Sequence, residues 1–78
     1  MSDILKRLGK NVKRLRDQRG VSQETFADLA SINRTYVSDI ERGARNPTVR
    51  VLEKIAKTLG VTPGSLLDED EDAGAPTK

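Results

Sequence analysis

Two helix starts, Ser22 and Asn33, lie so close together that the helices they open are short and separated by a turn of about three residues. Ser and Asn are favoured at such starts because the side-chain oxygen accepts from a backbone N–H that the first helical turn leaves unpaired. The spacing predicts helix 2 over Gln23–Ala30 and helix 3 from Arg34 to about Arg42, stopped by Gly43. Phe26, Ala27 and Ala30 form the apolar side of the first, and Val37 and Ile40 that of the second. Ile32 points inward from the turn between them. Helices of this length are marginal alone, so the rest of the chain must wall them in.

The flanking segments carry the right periodicity. Ile4, Leu5, Leu8, Val12 and Leu15 make one stripe of a helix 1 running from about Asp3 to Arg19, with Asp3 as its cap and Gly20 as its stop. Gly9 inside that helix costs about 1 kcal/mol against Ala and suits a place where another helix passes closely. After the loop Arg45-Asn46-Pro47, Thr48 caps a helix 4, Val49 to Leu59, with Val49, Leu52, Ile55, Ala56 and Leu59 facing inward and Gly60 at its end. Thr62 caps a short helix 5, in which Pro63 suits the first helical position and Leu66 and Leu67 close the fold. The expectation is an all-α, five-helix domain over residues 1–67.

A chain of 78 residues allows one domain with a small core. It has no Cys, so disulfides are excluded, and no His, so a metal site would rest on carboxylates alone. Regular helix packing and a partner subunit remain as sources of stability. The absence of Cys fits a reducing cytoplasm. No apolar run approaches the roughly 20 residues of a membrane span, and Met1 to Leu5 begin charged and amphipathic, unlike a signal peptide.

Charge is unevenly placed. Residues 1–67 hold 13 of the 14 Lys and Arg but only 7 of the 12 Asp and Glu. A basic domain of this kind attracts polyanions. Residues 68–78 form an acidic tail without large apolar residues, containing Gly74 and Pro76, for which disorder is expected.

Catalysis finds no footing. Ser22, Ser31, Ser38 and Ser65 have no base placed beside them by these helices, and no glycine-rich phosphate loop is present. No catalytic residue, metal, cofactor, small-molecule ligand or membrane contact is expected. The paired short helices instead match a helix-turn-helix, whose second helix enters the DNA major groove by its N-terminal end. Ala27 is small enough for helix 3 to cross helix 2 closely. Ile32 and Val37 anchor the turn, leaving Asn33, Arg34, Thr35, Ser38 and Asp39 on the outer face.

The stretch SQETFADLASINRTYVSDIERG resembles the phage-repressor and Cro-like (XRE-like) helix-turn-helix family. The likeness continues through RNPTVRVLEKIAKTLGV and covers about residues 4–67, implying a lambda-repressor-like DNA-binding domain. Within the family, RTYVSDIERGARNPT resembles controller proteins of restriction–modification systems. Those are small stand-alone dimers that regulate the neighbouring restriction gene. Phage repressors, and antitoxins whose main partner is a toxin, share much of the pattern. One departure is Ser31, where the family usually has a Gly suited to positive φ. The resemblance also implies a buried ion pair between Arg16 and Glu41, a structural role outside the DNA contacts.

Roles at the DNA follow from chemistry joined to this resemblance. Arg34 and Thr35 open the recognition helix, where Arg can pair with guanine and Thr can offer its methyl to thymine. Ser38, one turn on, faces the groove. Asp39 either accepts from a cytosine or repels phosphate, and Tyr36 either rests on the DNA backbone or packs. Gln23, at a helix N-terminus, suits a phosphate. Arg42, Arg45 and Asn46 are candidates for the DNA backbone or minor groove. One helix reads few base pairs, so a homodimer is expected, with Val51, Val61 and Leu67 as its apolar face. Contact with RNA polymerase would follow where promoter geometry allows it.

Overall fold

The structure, a computed structural model, describes residues 3–69. Four α-helices, α1 (Ile4–Gln18), α2 (Gln23–Ala30), α3 (Arg34–Glu41) and α4 (Val49–Leu59), are followed by a short 3₁₀ turn, Gly64–Leu67. Each helix begins where its cap residue directs. Asp3 accepts from the Leu5 N–H at 2.9 Å, Ser22 from Thr25 at 3.1 Å, Asn33 from Thr35 at 2.7 Å and Thr48 from Val51 at 3.1 Å.

The core is one cluster drawn from every element: Leu8 and Val12 of α1, Phe26 and Ala27 of α2, Val37 and Ile40 of α3, Ile55, Ala56 and Leu59 of α4, and Leu66 of the 3₁₀ turn. Two residues of the expected stripes are exposed to water. Ile4 is 50 % exposed and Val49 is 81 % exposed. Both lie on the first turn of their helix, and the first buried residues come later, at Leu8 in α1 and Ile55 in α4. The periodicity names the correct side of each helix but runs one turn past the end of the core.

The fifth helix is a correction of type. Gly64–Leu67 is a 3₁₀ turn with Pro63 in the cap position. Ser65 explains part of this: its N–H donates to the Thr62 hydroxyl at 3.2 Å and its own hydroxyl donates to the Thr62 carbonyl at 2.7 Å. These local bonds tighten the chain and compete with the α-helical pattern. The acidic tail expected beyond residue 67 is described only at Asp68 and Glu69, both exposed, and its remainder lies outside the described residues.

Two backbone details set the helix-turn-helix. Gly9 of α1 passes against the end of α3, where a Cβ on it would lie 2.4 Å from the Ile40 carbonyl oxygen and 2.7 Å from that of Glu41. Ser31 ends α2 in the left-handed region, at φ 59° and ψ 44°. It is the one non-glycine residue with positive φ among the described residues. The conformation lets the Ile32 N–H return to the Ala27 carbonyl at 2.9 Å, and the chain can enter α3 two residues later.

An ion pair fastens the same crossing. Arg16 of α1 donates through Nε to Glu41 Oε2 at 2.6 Å and through Nη2 to Oε1 at 3.1 Å. Its Nη1 donates to the Val21 carbonyl at 2.7 Å. The side chains are 10 % and 4 % exposed. The hydrogen bond to Glu41 raises the Arg16 pKa above its ordinary value, against the desolvation that lowers it.

Gly9→Ala should destabilise the fold by about 1–3 kcal/mol in urea unfolding, because the overpacking cost exceeds the helix propensity gained. An unchanged or raised midpoint would show that the two helices can separate freely. Glu41→Gln leaves a buried guanidinium unpaired and should cost about 3–5 kcal/mol. Replacing Arg16 by Met and Glu41 by Leu together should recover most of that loss. A double variant as unstable as the single one would show that the pair's geometry, rather than its charge, is what matters.

Candidate nucleic-acid interface

The N-terminal turn of α3 opens with two exposed residues. Val37 and Ile40 hold its inner side in the core, so the helical repeat sends Arg34, Thr35 and Ser38 toward the other side. Arg34 and Thr35 are exposed and Ser38 is half-buried. Among the described residues, none of these three side chains makes a hydrogen bond or ion pair within the chain, although the cap oxygen of Asn33 beside them does.

The C-terminal half of α3 and the following loop form a second group. Asp39 accepts hydrogen bonds from Arg42 and, at 3.1 Å, from Arg45. The Arg45 guanidinium also lies 4.5 Å from the centroid of the Tyr36 ring, within the range of a cation–π contact. Tyr36 is half-buried and packs against the core cluster, which is the packing alternative of the two expected for it. Arg45 and Asn46 are exposed in the loop that leads to α4.

Gln23 stands between these groups and the buried pair. Its Nε2 donates to Glu41 Oε1 at 2.9 Å. The first residue of α2 is therefore tied to the last residue of α3, and the side chain expected at a phosphate is fixed by a structural carboxylate. Gln23 as a whole is half-buried at the N-terminus of α2, which Ser22 caps.

Sequence reasoning missed three of these relations. It left Asp39 as a reader or a repeller of DNA, whereas the carboxylate holds two arginines of its own chain. It did not join Arg45 to Tyr36. It passed over Asn11, which is buried in α1 with its amide on the 3₁₀ turn. A signal for Asn11 was present, because it falls three residues after Leu8 and four before Leu15, beside the apolar stripe.

The residues expected at a dimer face, Val51, Val61 and Leu67, are each half-buried and packed against the rim of the core. They come from α4, the loop after it and the 3₁₀ turn. Among the described residues no helix is long and apolar enough to cross a membrane.

Comparison with known proteins agrees with this geometry. The helix-turn-helix family model HTH_3 matches residues 12–66. The control protein C.BamHI of Bacillus amyloliquefaciens is 48 % identical over 61 residues, covering 77 % of this chain and 75 % of that protein. The control protein C.MunI of a Mycoplasma species is 43 % identical over 72 residues, covering 91 % and 97 %. The crystal structure of the restriction-modification controller protein C.AhdI from Aeromonas hydrophila superposes with a TM-score of 0.76 at 39 % identity, covering 80 % of this chain and 94 % of that one. A family match over residues 12–66, a matching fold and identities at this level have one reading: the chain belongs to the XRE-like helix-turn-helix family, among relatives that include restriction–modification control proteins.

Proposed function

We propose that the chain is a sequence-specific transcriptional regulator of the restriction–modification controller type, binding palindromic operator DNA as a homodimer. The observation that carries this reading is the contrast within α3. Glu41 and the inner residues are locked, while Arg34, Thr35 and Ser38 have no side-chain partner among the described residues. A helix held at its base and open at its N-terminal tip is the form that enters a major groove.

Affinity and specificity then divide among the residues. Arg34, Thr35 and Ser38 read base edges. Arg42, Arg45, Asn46 and the α2 terminus at Gln23 meet the sugar-phosphate backbone, a contact that weakens with salt. Asp39 and Tyr36 hold Arg45 in place until a phosphate takes over, since an exposed ion pair is readily exchanged. The half-buried Val51, Val61 and Leu67 form the two-fold contact that sets the half-site spacing. The protein acts in the cytoplasm. Its effect on transcription follows promoter position: contact with RNA polymerase where the dimer lies beside it, and repression where the dimer blocks it. The control proteins among the relatives favour this reading over a toxin-binding partner protein. Purification separates the two, because a regulator shifts DNA without a co-purifying protein.

Arg34→Ala should lose preference at one base position by about 1–3 kcal/mol, measured by binding to operator variants and random duplex. Equal weakening on specific and random DNA would make Arg34 a phosphate contact. Leu67→Glu should shift the dimer to monomer in sedimentation while leaving the helical circular dichroism intact. An unchanged mass would move the interface elsewhere.

A further inference from the structure

The 3₁₀ turn is held from outside, by side chains of α1. Asn11 is 1 % exposed. Its Nδ2 donates to the Leu66 carbonyl and to the Asp68 carbonyl, each at 2.8 Å. Arg7 Nη1 donates to the Leu67 carbonyl between them at 3.3 Å. Three successive carbonyls therefore find donors on one face of α1. The Asn11 Oδ1 accepts from Arg14 Nη2 at 3.0 Å, so both N–H groups and the oxygen of its amide are engaged. A buried amide with every group satisfied has one orientation, and leaving such groups unpaired is costly.

This clamp decides something that packing alone leaves open. Leu66 is wholly buried, but it is the one core residue the turn supplies. Leu67 packs only half-buried against the rim of the core, so one fully buried side chain anchors this four-residue turn. No steric wall confines the turn at its start, since a Cβ on Gly64 would meet nothing within 4 Å. With about three residues per 3₁₀ turn, a change of rotation swings Leu67 around the axis. The two carbonyls that Asn11 holds flank Leu67 on either side in sequence.

We propose that Asn11 is a positioning residue for the dimer face: by holding the Leu66 and Asp68 carbonyls it sets the direction in which Leu67 meets a second copy of this chain. The inference rests on the reading of Val51, Val61 and Leu67 as the two-fold surface. It assigns to a buried polar residue of α1 a role in assembly, separate from the DNA-facing side of the domain.

Three variants of the full chain test it by sedimentation equilibrium and thermal unfolding. Asn11→Leu keeps the approximate size and removes both donors. It should weaken dimerisation by about tenfold or more, and the loss of operator binding should be recovered at high protein concentration. Val12→Ala, a core truncation one residue away, should lower the thermal midpoint yet leave the dimer constant within about twofold. Leu67→Glu should be monomeric. If Leu67→Glu stays dimeric, the dimer-face reading fails and the positioning role fails with it. If Leu67→Glu is monomeric but Asn11→Leu dimerises like the parent, the clamp alone is overturned. Equal weakening by Val12→Ala and Asn11→Leu would also overturn it, reducing the effect to general destabilisation. Should Asn11→Leu fail to fold, Asn11→Ser keeps a single donor and should give an intermediate dimer constant. A parental value there would equally overturn the proposal.

Discussion

The Arg16–Glu41 pair is the contact on which the pose of the recognition helix depends. α3 has eight residues and buries two of them, Val37 and Ile40. That is about 12 Å of helix at 1.5 Å per residue, too short to fix its own rotation through apolar packing alone. Arg34, Ser38 and Glu41 run down one side of it at four- and three-residue spacing. Holding Glu41 against Arg16 and Gln23 therefore fixes where Arg34 and Ser38 point, two turns and one turn away. A tight approach of α1, at Gly9, lies beside the same carboxylate-bearing end. One contact restrains distance and the other restrains rotation. A buried ion pair is weak evidence for stability. Its use here is geometric.

The outer charges behave differently because water reaches them. Arg42 and Arg45 are 64 % and 43 % exposed in their side chains, and both rest on Asp39. Pairs of that exposure contribute little to folding. In the proposed DNA contact they would keep two long cations near the polyanion, at small cost when a phosphate replaces the carboxylate. The same residue types thus serve two ends: in Arg16 and Glu41 burial makes the pair rigid, and around Asp39 exposure makes it exchangeable.

Much of this was legible in sequence because the chain marks its helix ends with chemistry. Asp3, Ser22, Asn33 and Thr48 cap the helices where they were expected to. Gly9 and Ser31 stood out as local conflicts, one a poor helix former and the other a poor occupant of positive φ, and each sits at a tertiary constraint. What periodicity could not supply was the extent of the core. Val49 and Ile4 satisfy the pattern and still face water, since a repeat carries direction but no end point. The 3₁₀ turn was also out of reach, because its form depends on Asn11 and Arg7, more than fifty residues away in sequence. Of the candidate site, the membership of α3 followed from the spacing of its apolar residues. The pairing of Asp39 with Arg45, and of Arg45 with Tyr36, depends on how the loop after α3 folds back, which no short-range pattern encodes.

Size accounts for why polar contacts carry so much of the arrangement. A core of ten buried residues attracts its elements together but leaves short ones several ways to sit. α3 and the 3₁₀ turn are both short elements, and each is pinned to α1 by a buried polar side chain: Arg16 for α3 and Asn11 for the turn. α1 is the longest helix, at 15 residues, and the two side chains that do the pinning lie five positions apart. By helical geometry that separation turns them well away from each other, so one helix can orient a DNA-facing element on one side and an assembly-facing element on another. On this view α1 is the ruler of the domain. In the proposed dimer the distance between two recognition helices would then be set by α1, through Arg16 near its C-terminal end and Asn11 at its middle.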